Sequence, residues 1–168
     1  MTGTASKTQI LLARLVVVLV VGLIIAGLAW YEVSPSELQR IWQNIRARPG
    51  GPMTFRFILQ PAMAAIAAFR DGVKDARTGR SPYFWTLLTN EAKRNERLWE
   101  GLIATAQIIL LGLAMDSLYQ FIVLKTFYPV EAVIVALALA FLPYVILRGP
   151  IARAARWRID RRTKPWRA

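Results

Sequence analysis

The sequence has no cysteine and no histidine. Their absence excludes disulfides, thiol nucleophiles, Cys/His metal sites and histidine-based catalytic triads. Acid is scarce: 10 Asp and Glu stand against 22 Lys and Arg, a net charge of +12. Charged residues of either sign reach only 19%, below the share usual in a soluble domain. No glycine-rich phosphate loop, nucleophile elbow or usefully spaced pair of carboxylates occurs. These gaps remove most of the groups on which catalysis rests. The expectation is a protein that is not an enzyme and uses no cofactor and no metal.

What the chain has is apolar residues in blocks. Hydrophobic residues make up 55% of its 168 residues, and Leu15 to Tyr31 carries no charge. Crossing ~30 Å of hydrocarbon takes ~20 helical residues. Three segments meet that need: Ile10 to Tyr31, Gly101 to Leu124 and Val130 to Leu147. The fold class expected is an all-α membrane protein with about three transmembrane helices and amphipathic interfacial helices. Gly27-Leu28-Ala29 also offers a small-x-small cleavage site, but the apolar run before it is longer than a usual signal-peptide core. The five residues Lys125 to Pro129 make the last two spans an antiparallel hairpin, with Pro129 at the first helical position. Pro143 is expected to bend the third span. Gly22 and Ala26 form a small-xxx-small pair, and Ala132, Ala136 and Ala140 make a smooth stripe for close packing.

Two segments read as amphipathic helices. Ser34 to Ala47 has a capping serine, Pro35 at the first position, Glu37 completing a capping box, and Leu38, Ile41, Trp42 and Ile45 on one stripe. Such a helix either lies in the headgroup region or packs on the rest of the protein. Pro49-Gly50-Gly51-Pro52 reads as a hinge. From Phe55 to Arg77 an apolar stripe runs through Leu59, Ala62, Ile66, Phe69 and Val73, with Arg56, Gln60, Arg70, Lys74 and Arg77 off it. Its uncharged core of 13 residues, Phe57 to Phe69, is short for a span. The interfacial reading is therefore favoured over a crossing. Ser81-Pro82 signals another helix start, Tyr83, Phe84 and Trp85 suit a membrane interface, and Glu91 to Glu100 reads as a solvated turn. The divisions are 1–52 (first span, short helix and hinge), 53–100 (interfacial helix and cytoplasmic segment), 101–147 (hairpin) and 148–168 (basic tail).

Inside the second span Gly101, Thr105, Gly112, Asp116 and Gln120 fall on one helical face. An ionisable group in hydrocarbon costs ~2.5–3.5 kcal/mol and usually faces protein or water. Asp116, Gln120 and Thr105 are thus the candidate intramembrane polar site. Asp116 either handles protons or ions, or is neutral or hydrogen-bonded and holds the bundle together. The second is preferred, because no other ionisable group in the spans is placed to pass a proton on. If so, Asn should be tolerated at position 116. Glu131 is accounted for by the N-terminal end of its helix.

The tail from Arg148 holds eight cations and one acid, Asp160. Arg153, Arg156, Arg158, Arg161, Arg162 and Arg167 are candidate contacts to anionic lipid headgroups; equally, such a run serves as a topology signal. The cations border apolar runs and leave no folded basic face, so nucleic acid is not expected as a partner. The positive-inside rule puts the C-terminus in the cytoplasm and, with three spans, the N-terminus in the periplasm.

From Phe55 onward the chain resembles a family of small, uncharacterised inner-membrane proteins of proteobacteria. The resemblance is carried by Phe57-Ile58-Leu59-Gln60-Pro61, by Asp75 to Trp85, by Tyr119 to Leu124 with Phe127-Tyr128-Pro129, and by Leu142-Pro143-Tyr144 with Leu147-Arg148-Gly149-Pro150. It implies a bacterial inner-membrane location and brings no catalytic residue. The functional expectation is a non-enzymatic structural or accessory membrane component, acting as a homo-oligomer or within a larger complex. The alternative is a small transporter or proton- or ion-conducting element centred on Asp116.

Overall fold

The structure is a computed structural model and describes residues 5–31, 34–51 and 53–163; at 162 and 163 it describes the backbone only. Every regular element among these residues is helical: α1 (Lys7–Trp30), α2 (Pro35–Ala47), a 3-10 turn (Arg48–Gly50), α3 (Arg56–Arg77), α4 (Tyr83–Thr89), α5 (Glu91–Tyr119), a π turn (Gln120–Leu124) and α6 (Pro129–Thr163). Three helices, at Lys7–Trp30, Glu91–Leu124 and Pro129–Arg161, are long and apolar enough to cross a membrane.

Local signals place the helix starts. Ser6 and Gln9 form a reciprocal capping box on α1. The Ser34 hydroxyl accepts the Glu37 N–H at 3.3 Å, while the Glu37 carboxylate turns to Arg40 instead of completing a box. Asn90 caps α5 through the Lys93 N–H. Pro129 opens α6, and Lys125 turns the hairpin in the left-handed region, φ 54°. α6 passes through Pro143 and Pro150 without interruption, so the segment from Arg148 to Thr163 is the same helix and not a separate tail.

α3, expected as an interfacial helix, packs along α6 more extensively than any other two helices pack. Arg56 at its start meets Asp116 of α5, and Asp75 near its end meets Arg148 of α6. The rise from Arg56 to Asp75 is ~28 Å at 1.5 Å per residue. α3 therefore runs beside α5 and α6 over that distance. The physical reason is its buried stripe. Arg56, Gln60, Ala64, Ala68, Gly72 and Asp75 all turn inward, while Phe55, Ile58, Leu59, Ile66 and Phe69 turn outward, Ile58 to 74% exposure. Small residues on the inner stripe let the backbones approach. A methyl group at Gly72 would lie 2.9 Å from the Arg148 carbonyl and from the Ile151 side chain, so only glycine fits there. A methyl at Gly112 would lie 3.1 Å from the Ala136 side chain. In α1 the close contact is at Gly27 against Val130; Gly22, expected to pack, is exposed.

α2 repeats the inversion. It docks on α6 through Arg40 and Asn44 and leaves Leu38 and Trp42 exposed. α1 packs on α5 and α6, and the Tyr31 hydroxyl donates to the Phe127 carbonyl at 2.9 Å. The core is built mainly of small side chains, among them Ala13, Ala64, Ala68, Ala106, Ala132, Ala136 and Ala140.

Candidate functional site: two buried ionic clusters

The inward stripe of α5 is buried at Gly101, Thr105, Gly112, Asp116 and at Gln120 just beyond it. Gln107, on the opposite side, is exposed. Asp116 and Gln120 meet: the Gln120 amide donates to Asp116 Oδ2 at 2.7 Å and also clamps Tyr128, donating to its carbonyl and accepting its N–H. Thr105 does not join them. Its hydroxyl donates to the Gly101 carbonyl at 2.8 Å, one turn back on its own helix.

Asp116 is fully buried and faces two guanidinium groups. Arg48 grips it with two hydrogen bonds, Nε to Oδ1 at 3.0 Å and Nη2 to Oδ2 at 3.2 Å. Arg56 Nη2 lies 3.0 Å from Oδ1, close enough to pair in charge but not aligned as a hydrogen bond. Arg48 also donates to Glu131 Oε2 at 3.0 Å. Glu131 in turn accepts from Asn44 at 3.1 Å and from Arg40. Glu131 thus does more than complement the helix dipole: it is fully buried and anchors α2. The cluster balances Arg48 and Arg56 against Asp116 and Glu131 around the Tyr119 ring, over which both guanidiniums sit. The fork geometry of Arg48 and the low local dielectric make such pairs strong once formed. Asp116 is thus hydrogen-bonded to Gln120, as expected of a residue that ties the helices together, and is joined besides by the two arginines Arg48 and Arg56. Arg40, at the rim in α2, has its pKa raised: burial opposes the charge, but the Glu37 and Glu131 carboxylates outweigh it.

A second cluster joins α3, α5 and α6 at their other ends. Arg148 holds Asp75 with two bonds, Nε to Oδ2 at 2.8 Å and Nη2 to Oδ1 at 3.0 Å, and donates to the Tyr144 hydroxyl at 2.7 Å. That hydroxyl donates to Asp71 at 2.6 Å. Arg97 reaches Asp75 at 3.3 Å and Glu100 at 3.1 Å, and Arg80 reaches Glu100 at 2.8 Å. Arg148, expected in the tail, is therefore a core residue, and Glu91 to Glu100 is the first part of α5 and not only a solvated turn. Glu100 raises the pKa of Arg80 through its hydrogen bond, against some desolvation. Burial pushes the Tyr83 hydroxyl up to about 12, against the pull of Arg148. That hydroxyl donates to the Arg97 carbonyl at 2.7 Å.

Of the remaining expected residues, Arg153, Arg158 and Arg161 are exposed on α6, Arg161 stacked 3.6 Å over Trp157. Arg156 is half-buried and donates to the Arg80 carbonyl. Arg167 and the side chain of Arg162 lie outside the described residues. No group of acids able to hold a metal occurs among the described residues. Arg48, Arg56, Asp75 and Arg97 were not foreseen as partners. The signal was spacing: Arg40, Asn44 and Arg48 recur every fourth residue, as do Arg56 and Gln60.

Comparison with protein-family models, with curated proteins and with solved structures finds no match to this chain.

Proposed function

We propose that the chain is a multi-pass membrane protein of four spans, α1, α3, α5 and α6, and a non-enzymatic structural or accessory component of a bacterial inner membrane. The observation that carries this reading is the inverted amphipathicity of α2 and α3. Arg40 and Asn44 of α2 dock on α6, and Arg56, Gln60, Ala64, Ala68, Gly72 and Asp75 of α3 turn inward, while Leu38, Trp42, Ile58, Ile66 and Phe69 turn outward. In water that arrangement exposes the hydrophobic effect to solvent and buries ions at a loss. In a bilayer it satisfies both demands, since lipid covers the apolar face and ionisable groups meet each other. Trp42 on α2, and Phe84, Trp85 and Leu88 on α4, are exposed at the two ends of the bundle and suit the interfacial zones.

Charge supports an orientation. Among the described residues, the end that holds the hairpin link carries Arg40, Arg46, Arg48, Arg56 and Lys125; every other cation belongs to the opposite end. By the positive-inside rule that opposite end is cytoplasmic, and with four spans both ends of the chain lie there. Lys7 and Arg14 then fit the rule as well as Arg153 and Arg158 do. The basic residues of α6 are proposed to meet anionic headgroups.

A structural role for Asp116 is favoured over transport because its carboxylate ties α5 to Arg48, which follows α2, and to Arg56 of α3, and is held by Gln120 as well. Two measurements test this. Washing membranes with salt and urea should leave the protein in the pellet, with detergent needed to release it; release without detergent would end the membrane reading. Purified protein in liposomes should pass no more protons than empty liposomes; a flux abolished by Asp116→Asn in protein that still inserts would end the structural one.

A further inference from the structure

We infer that an anionic phospholipid has a defined seat in the groove between the end of α3 and the extension of α6, held by Arg77 and Arg158. The inference rests on the membrane reading above and adds a site to it. The groove has a volume of about 350 Å³, and no acidic residue lines it. Its lining is graded. Phe69, Val73 and Ile151 make the part nearer the middle of the bundle, and Arg77 and Arg158, with Ile159 beside them, make the part nearer its cationic end. From Phe69 to Arg77 the rise along α3 is ~12 Å. A phospholipid in the cytoplasmic leaflet has the same order of chemistry along the same direction: acyl chain toward the middle, phosphate outside.

The two guanidiniums are available. Arg80, Arg97 and Arg148 nearby are committed to Asp75 and Glu100. Arg77 and Arg158 are exposed and have no ion-pair partner among the described residues. They come from two helices, so the site exists only because Gly72 brings α3 against α6 one turn deeper. Guanidinium groups suit phosphate because their N–H donors are planar and their charge is fixed. The apolar lining argues for a lipid over free phosphate, which has no use for Phe69 or Val73.

Native mass spectrometry of the full chain from mixed micelles tests the seat. The probes are phosphatidylglycerol, phosphatidylcholine and inorganic phosphate. Wild-type protein should retain one phosphatidylglycerol in preference to phosphatidylcholine, undisturbed by phosphate. Arg77→Gln and Arg158→Gln should each weaken retention about fivefold, the worth of one cation near an anionic surface. Lys93→Gln, which removes an exposed cation of α5 outside the groove, should leave it unchanged. Ala155→Trp, which fills the groove without altering charge, should lower retention of the lipid. Equal losses for Arg77→Gln, Arg158→Gln and Lys93→Gln would mean diffuse attraction and overturn the seat. Equal retention of both lipids, or displacement by phosphate, would overturn it too. Protein that needs detergent for release yet shows any of these outcomes keeps the membrane reading and loses the site alone.

Discussion

The two ionic clusters use the same chemistry and differ in how completely it is satisfied. At the Asp75 end each oxygen of Asp75 and Glu100 meets an arginine, Arg148 forms a full fork, and Glu100 at 28% and Arg80 at 40% side-chain exposure bring the network toward the surface. At the Asp116 end both acids and both central arginines are at most 1% exposed, and Arg56 has no aligned hydrogen bond at any of its three nitrogens. Gln60 Oε1, one turn along α3, is also unpartnered. Burial raises both the strength of a formed pair and the cost of a broken one. The deep cluster should therefore be brittle, and the shallower one tolerant.

The sharpest way to break that contrast is at position 116. Asp116→Leu strips the countercharge from Arg48 and Arg56 and should cost ~3–5 kcal/mol, the range for orphaning a buried ion. Asp116→Asn should fare nearly as badly, because an amide cannot balance two guanidiniums. Adding Arg56→Met to Asp116→Asn should recover part of the loss, since it removes one orphaned charge. Thermal unfolding in detergent measures all three, and an Asn variant as stable as wild type would refute the brittle cluster. Next is Arg148→Gln, which should cost less, ~2–3 kcal/mol, because Arg97 still faces Asp75 and water can reach Glu100. A larger loss than for Asp116→Leu would invert the comparison. Gly72→Leu attacks the packing between the clusters: the side chain meets Arg148 backbone and Ile151, and ~1–3 kcal/mol is expected from overpacking. Arg80→Gln should have the smallest effect, under ~1 kcal/mol, because it removes a largely solvent-screened partner of Glu100.

Much of the bundle could be read from residues alone. The α5–α6 hairpin, the turn at Lys125 to Pro129 and the buried face of α5 follow from local periodicity, and the helix caps at Ser34 and Pro129 from local chemistry. The alanine stripe of α6 is buried at Ala132, Ala136 and Ala140, as its smoothness implies. What was hidden depends on the sign of amphipathicity. A stripe of Phe, Ile and Leu opposite Arg, Gln and Asp looks alike whether it faces a protein core, an interface or lipid. α3 reads as interfacial because its uncharged run, Phe57 to Phe69, is only 13 residues. The partners of its Arg56 and Asp75, Asp116 and Arg148, lie 60 and 73 positions away, which no local window reveals. Arg148 reads as part of the tail for the same reason: the cationic run that follows it masks its different environment.

If α3 crosses as proposed, α2 and α4 lie on opposite sides. Because the chain has no cysteine, single cysteines report on this without background. Gln43→Cys on α2 and Thr89→Cys at the end of α4 are both exposed positions, to be labelled in intact cells with a membrane-impermeant maleimide. The account predicts that the cysteine at 43 is labelled at once, together with one placed at Lys125, and that the cysteine at 89 is labelled only after the membrane is permeabilised. Labelling of positions 43 and 89 from the same side would contradict it.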